Sequence, residues 1–165
     1  MQWDAFRAAC PEIGRLAEER FRADELVILG TVRPDGASRV SPCEVDFAER
    51  RLLLGMMWQS LKARDLLRDP RITIHSVPSD RLNVGGDIKL YGVAIDEQDS
   101  DVRDAYRDEI RRRIHWAPDE PRFHLFSVDV QRAAYIRFGD DRIALAWDAQ
   151  RGFRRTRHPD DTSEP

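Results

Sequence analysis

The feature that most limits the possible architectures is a change of hydrophobic period near residue 24. From Trp3 to Phe21 the apolar residues Trp3, Phe6, Cys10, Ile13, Leu16 and Ala17 recur at three- and four-residue steps. That is the spacing of an amphipathic helix, whose longer second half opens at Pro11. From Glu25 onward the chain reads as short strand-like runs separated by turn residues. Glu25 to Arg33 is one such run, and Pro34-Asp35-Gly36 closes it into a hairpin. The return strand, about Ser38 to Phe47, contains Pro42, which cannot donate to a ladder and so predicts a bulge or an unpaired edge.

Arg51 to Met57 reads as a third strand. Gln59 to Arg68 reads as a short helix with Ser60 as a cap and Asp69-Pro70 as its stop. Further strands are predicted at Arg71 to Val77, Val84 to Asp96 after a loop from Pro78 to Asn83, Phe123 to Val130, Ala133 to Phe138 and Ile143 to Trp147, with Gly139-Asp140-Asp141 as a hairpin signal. Ser100 to Ile114 reads as a helix packing through Val102, Ala105, Ile110 and Ile114. These elements predict a mainly β fold: a small antiparallel barrel of six to eight strands with an N-terminal helix and two inter-strand helices. One domain over 1–157 and a polar, disordered tail over 158–165 complete the expected layout.

The 165 residues suffice for one self-sufficient core. No apolar run approaches the roughly 20 residues that span a bilayer, and Met-Gln-Trp-Asp does not begin a signal peptide, so a cytoplasmic protein is expected. Cys10 and Cys43 are then expected as free thiols. With a net charge of −3 and interspersed signs, neither nucleic acid nor a membrane is an expected partner. The clusters Arg111-Arg112-Arg113 and Arg151 to Arg157 read as solvated faces or tails. Lys62 and Lys89 are the only lysines among 27 basic residues, which singles out Lys62.

The stretch Trp58-Gln-Ser-Leu-Lys62 carries the chemistry. A helix that starts near Ser60 exposes unpaired N–H groups and the positive end of its dipole, which attract an anion. Ser60 adds a hydroxyl, Lys62 a mobile cation and Arg39 a planar fork, a set that suits a phosphate monoester. The competing reading makes Ser60 an ordinary N-cap and Lys62 a surface charge.

The order Leu29-Gly-Thr-Val-Arg-Pro-Asp-Gly36, Arg39-Val-Ser-Pro42 and Ser60-Leu-Lys-Ala-Arg-Asp-Leu-Leu-Arg-Asp-Pro-Arg71 resembles the pyridoxamine 5'-phosphate oxidase-like superfamily of FMN-binding split β-barrels, including its deazaflavin F420-dependent branches. The resemblance covers Glu25 to Asp96 best. It implies that Ser60, Lys62 and Arg39 hold a flavin phosphate, that the backbone at Val40 and Ser41 lines the flavin ring, and that two sites form at a homodimer interface. Two departures stand out. Arg142-Ile-Ala144-Leu-Ala146 keeps one arginine of the substrate motif found in the true oxidases, and Glu44 stands where they carry a lysine, so pyridoxal-type phosphates are disfavoured. Asp65 replaces the usual asparagine.

Met57 and Trp58, with Met56, are candidates to cover the flat cofactor, although core packing explains them equally well. His75 and Arg142 are candidate substrate contacts. No metal site is expected, because His75, His115, His124 and His158 lack ligand spacing. Cys43 has no neighbour that would activate a thiolate. Gly85-Gly86-Asp87 is not a dinucleotide fingerprint. The expected function is therefore a flavin-dependent oxidoreductase, with FMN as cofactor or F420 as the alternative, acting on a small organic redox substrate. Its rivals are a non-catalytic flavin, F420 or haem carrier, and a degenerate fold that only dimerises.

Overall fold

The computed structural model describes residues 1–78, 81, 85–138 and 142–156. The expected hairpin signal at Gly139-Asp140-Asp141, part of the Pro78 to Asn83 loop, the strand start at Val84 and the tail from His158 lie outside the described residues.

Two helices open the chain, α1 (Trp3–Ala9) and α2 (Pro11–Asp24). The single leading helix predicted from the periodicity is thus broken. Cys10 departs from helical geometry at φ −141° and ψ 72°, and Pro11 restarts the helix at its first position, where its missing N–H costs nothing. Strand β1 (Leu26–Val32) and strand β2 (Ser38–Ala48) form the expected hairpin. Gly36 takes φ +84° in its turn, a conformation that glycine adopts freely. Strand β3 (Arg51–Met57), helix α3 (Leu61–Arg68), strand β4 (Arg71–Ser76), strand β5 (Asp87–Asp96) and helix α4 (Ser100–Ile114) follow.

The last part is β6 (Phe123–Arg137), β7 (Ile143–Asp148) and β8 (Gly152–Thr156). Two expectations are corrected here. The exposed Gln131-Arg132 pair reads in sequence as a break, but β6 runs through it as one strand of 15 residues. Part of the arginine-rich stretch after Arg151 is strand β8, paired with β7 through Trp147 opposite Phe153.

All pairings are antiparallel, in the order β3-β2-β1-β4-β5-β6-β7-β8, and β3 also pairs with β6. Six strands therefore close into a barrel, and β7 and β8 extend beyond it. Alternation sends Val27, Leu29, Leu54, Ile74 and Leu90 into the interior, where Trp3, Phe6, Ile13 and Phe21 of the leading helices join the same core. A second, smaller core lies under α4, where Val102, Tyr106 and Ile110 meet Leu53, Phe123 and Leu125. Strands β3 and β6 are consequently buried on both faces. The packing face of α4 differs from the expected one: Val102, Tyr106 and Ile110 repeat every four residues, while Ile114 is exposed.

Candidate functional site

The barrel is parted between β2 and β3. Strand β2 pairs with β1 from Ser38 to Glu44, but with β3 only from Glu44 to Ala48. Past Gly55, strand β3 has no partner in β2, while its other edge, paired with β6 from Leu53 onward, continues through Met56 opposite His124 and Met57 opposite Phe123. The first half of β2 is left with a free edge. Pro42 lies on this edge in unbroken register with Ile28, so the expected alternatives resolve to an unpaired edge and not a bulge.

The parting opens into a cleft of about 700 Å³, walled by Pro42, Cys43 and Glu44 of β2, Gly55 to Met57 of β3, Trp58 just beyond it, Lys62, Tyr106 of α4, and the segment leading from α4 to β6. This volume falls in the usual range for small-molecule sites. Met57 and Trp58 are more than half exposed at its margin, as is Trp116.

Gln59, at φ +57°, turns the chain from β3 into α3 and puts Ser60 at the N-cap position. There Ser60 does not act as a cap: its Oγ is buried and has no hydrogen-bond partner. A buried hydroxyl left unpaired costs about 1–3 kcal/mol unless something outside the chain satisfies it. Two residues on, the Lys62 ammonium reaches across the parting and donates to the Pro42 carbonyl. Lys62 lines the cleft, and the orphan Ser60 hydroxyl lies two residues before it at the same helix start; a donor set of this kind fits an anionic group such as a phosphate.

Arg39 is committed elsewhere. Its Nε donates to the Asp65 carboxylate at 2.6 Å, Thr31 donates its hydroxyl to the same oxygen at 2.9 Å, and Arg68 lies 3.5 Å from the other oxygen. Burial pulls the Asp65 pKa upward, but the bonds from Arg39 and Thr31 outweigh it and hold the carboxyl below its ordinary value. The acidic replacement at position 65 therefore supplies an internal counter-ion to the arginine expected as a second clamp.

Of the other expected site residues, Met57 and Trp58 line the cleft. Val40 and Ser41 lie on the free half of β2, with Val40 opposite Gly30 and 71% exposed. The structure does not bring His75 or Arg142 to the cleft wall. His75 is opposite Ile28, which is in turn opposite Pro42, and its Nδ1 lies 2.6 Å from the Ser76 carbonyl. Arg142 immediately precedes β7, outside the six barrel strands.

Tyr106, Trp116, Phe123 and His124 were not legible as site residues. For Tyr106 the four-residue spacing in α4 was the available signal. Burial first, then the nearby Glu44, Cys43 and Asp46, drive the Tyr106 pKa far upward, so the phenol stays neutral. Burial likewise pushes the Cys43 thiol up to about 12, and its Sγ donates to the Gly55 carbonyl at 3.3 Å. Cys43 is inert packing. Trp58 stacks on His124 with centroids 4.6 Å apart and planes 7° from parallel. Burial lowers the His124 pKa, and its Nε2 is buried without a partner. Among the described residues no three histidine, cysteine or acidic side chains are grouped to hold a metal.

A family model for pyridoxamine 5'-phosphate oxidase matches residues 15–137. The chain belongs to that family. Among curated proteins no match is found. Solved structures share the fold of this family member at low identity. A heme binding protein from Mycobacterium smegmatis superimposes with TM-score 0.60 and 22% identity over 78% of this chain and 57% of that one. The family member thus spans just over half the length of that relative. A pyridoxamine 5'-phosphate oxidase-related, FMN binding protein from Nostoc punctiforme gives 0.64 and 18%, over 89% and 94% of the two chains. PhzG from Burkholderia lata, solved with tetrahydrophenazine-1-carboxylic acid, gives 0.64 and 14%, over 93% and 91%. Among the described residues no helix is long and apolar enough to cross a membrane.

Proposed function

We propose that this chain binds FMN at the parting of β2 and β3 and works as a flavin-dependent oxidoreductase on a small organic acceptor other than a pyridoxal-type phosphate. The observation that carries the reading is the Ser60 hydroxyl, buried and unpaired at the start of α3 with Lys62 beside it. In this reading Ser60, Lys62 and the first N–H groups of α3 hold the phosphate, and the backbone at Val40 and Ser41 faces the ring. Met57 and Trp58 shield it from water. The bound flavin supplies the electron or hydride transfer. F420 is the alternative cofactor for the same phosphate grip, and the cytoplasm is the compartment we assign, where Cys10 and Cys43 stay reduced.

We also propose a homodimer. Met57, Trp58 and Trp116 line the cleft with exposed apolar surface, and Val40 is exposed on the free edge of β2; a second copy covering this surface would exclude water from both sites. Sedimentation over a concentration series tests this, with Val40→Asp expected to shift the protein to monomer.

The second reading is a haem carrier without turnover, favoured by the likeness to the Mycobacterium smegmatis heme binding protein. Titration of purified protein with FMN, F420 and haemin, followed by absorbance and fluorescence, separates the readings. Saturable FMN binding that Ser60→Ala weakens, without loss of thermal stability in the ligand-free protein, is the expected result. Haemin binding alone would replace the flavin reading with the carrier.

A further inference from the structure

One wall of the cleft carries a carboxylate that the fold leaves unanswered. Glu44 lies opposite Gly55 in the ladder and therefore shares its face, the face turned towards α4. Two residues along the same face, Asp46 is answered: Arg113 of α4 approaches it to 3.2 Å and holds Glu25 at 3.0 Å with its other nitrogen. Glu44 has no such partner and forms no ion pair among the described residues, although it lines the cavity half-buried.

Two cations also line the cleft, Lys62 and Arg122, with Asp119 as a second carboxylate beside Glu44. Lys62 donates to the Pro42 carbonyl. At the mouth, Arg122 and Asp119 are both exposed and opposite in charge, and the Arg122 backbone N–H donates to the Asp119 carbonyl at 2.8 Å. The rest of the wall is aromatic: Trp58, Trp116, Phe123 and the ring of Tyr106. Aromatic faces attract cations through their quadrupoles as well as packing on flat rings. The neutral Tyr106 hydroxyl adds a hydrogen-bonding group next to the carboxylate, a proximity reflected in the influence of Glu44 on its ionisation.

We propose that this cleft selects a flat aromatic ligand bearing a positive charge, anchored on the Glu44 carboxylate beside the Tyr106 hydroxyl, and discriminates against anions of the same shape. As a statement of substrate class it rests on the reading that the cleft is where the flavin meets its acceptor. The charge selectivity itself belongs to the bare cavity.

The test uses two fluorescent three-ring probes of opposite charge, proflavine and 9-anthracenecarboxylate, titrated into the full chain at about 0.15 M salt to screen long-range fields. Titrations are run with the protein as purified and after saturation with FMN. The wild type is expected to bind proflavine about tenfold tighter than the anion, as a partly desolvated charge contact provides. Glu44→Gln should bring the ratio close to one and Glu44→Lys should invert it. Glu19→Gln, which removes an equal charge from the exposed outer face of α2, should leave it unchanged. A wild type without charge preference, or a preference that survives Glu44→Gln, overturns the proposal, and the first of these needs no variant to fold. FMN affinity is measured in parallel. If FMN fails to bind while the Glu44-dependent preference holds, the flavin reading falls and this one stands; if FMN binds and the preference is absent, the reverse follows.

Discussion

The Tyr106 hydroxyl occupies the space in which any side chain on Gly55 would begin: an ideal Cβ there would lie 1.8 Å from Tyr106 Oη and 2.5 Å from Cζ. Helix α4 thereby approaches the twice-buried strand β3 closely enough for its phenol to join the cleft wall. The glycine is needed for what faces it and not for its backbone angles, and it ties the smaller core to the candidate site.

Gly55→Ala is accordingly expected to destabilise the protein by about 1–3 kcal/mol, the usual cost of overpacking. Tyr106→Phe should restore only part of it, because the ring carbon is also too close. Urea unfolding of the two single variants and the double variant measures the coupling.

Asp65 and Arg39 make an acid-sensitive joint. The Asp65 carboxyl titrates below its ordinary value in the fold, so its contribution is fully present above the unfolded pKa of about 3.9 and is lost as pH falls through the lower folded value. Asp65→Asn should flatten this acid limb in a series of melts. At neutral pH it should cost about 3 kcal/mol, near the low end for breaking a buried pair, because Arg39 retains some solvent contact.

Lys62→Met separates a strut from a ligand grip. Loss of the bond to the Pro42 carbonyl should cost no more than about 1 kcal/mol at a solvent-accessible site. FMN affinity, measured by calorimetry, should fall by about 1.5–3 kcal/mol, as befits a charged phosphate contact.

The Trp58–His124 stack should report protonation. Burial lowers the His124 pKa, so the unfolded chain takes up the proton first. The histidine's contribution to stability is present above the unfolded value of about 6.5 and is lost as pH falls below it, through the folded value. A step in tryptophan emission should occur below that ordinary value. His124→Phe, which keeps a flat partner for Trp58, should abolish the step.

The barrel was legible because the alternation in β1, β2 and β4 is local and each run is bounded by turn residues. Elements without such local signals were missed. Strand β8 has no buried alternation, being the edge of the sheet, and β6 passes Gln131-Arg132 through a bulge that skips Gln131 while Arg132 pairs with Tyr91 on one side and Asp148 on the other. The same division applies to the site. Ser60 and Lys62 share one helix start and are readable together. The Arg39–Asp65 pair spans 26 residues, and the meeting of Tyr106 with Gly55 depends on how α4 docks, which no local pattern encodes.

Pro42 has a consequence for solubility. Its carbonyl faces the parting, and within a strand a residue's nitrogen points the same way, so any other residue here would hold out an amide that a foreign strand could use. The imide removes one donor from the free edge of β2, where the barrel is parted. A cavity margin of this kind can stay greasy enough to grip a ligand without recruiting neighbouring chains into fibrils, and Pro42→Val should sacrifice that protection first, as turbidity on prolonged incubation well before any loss of folded protein.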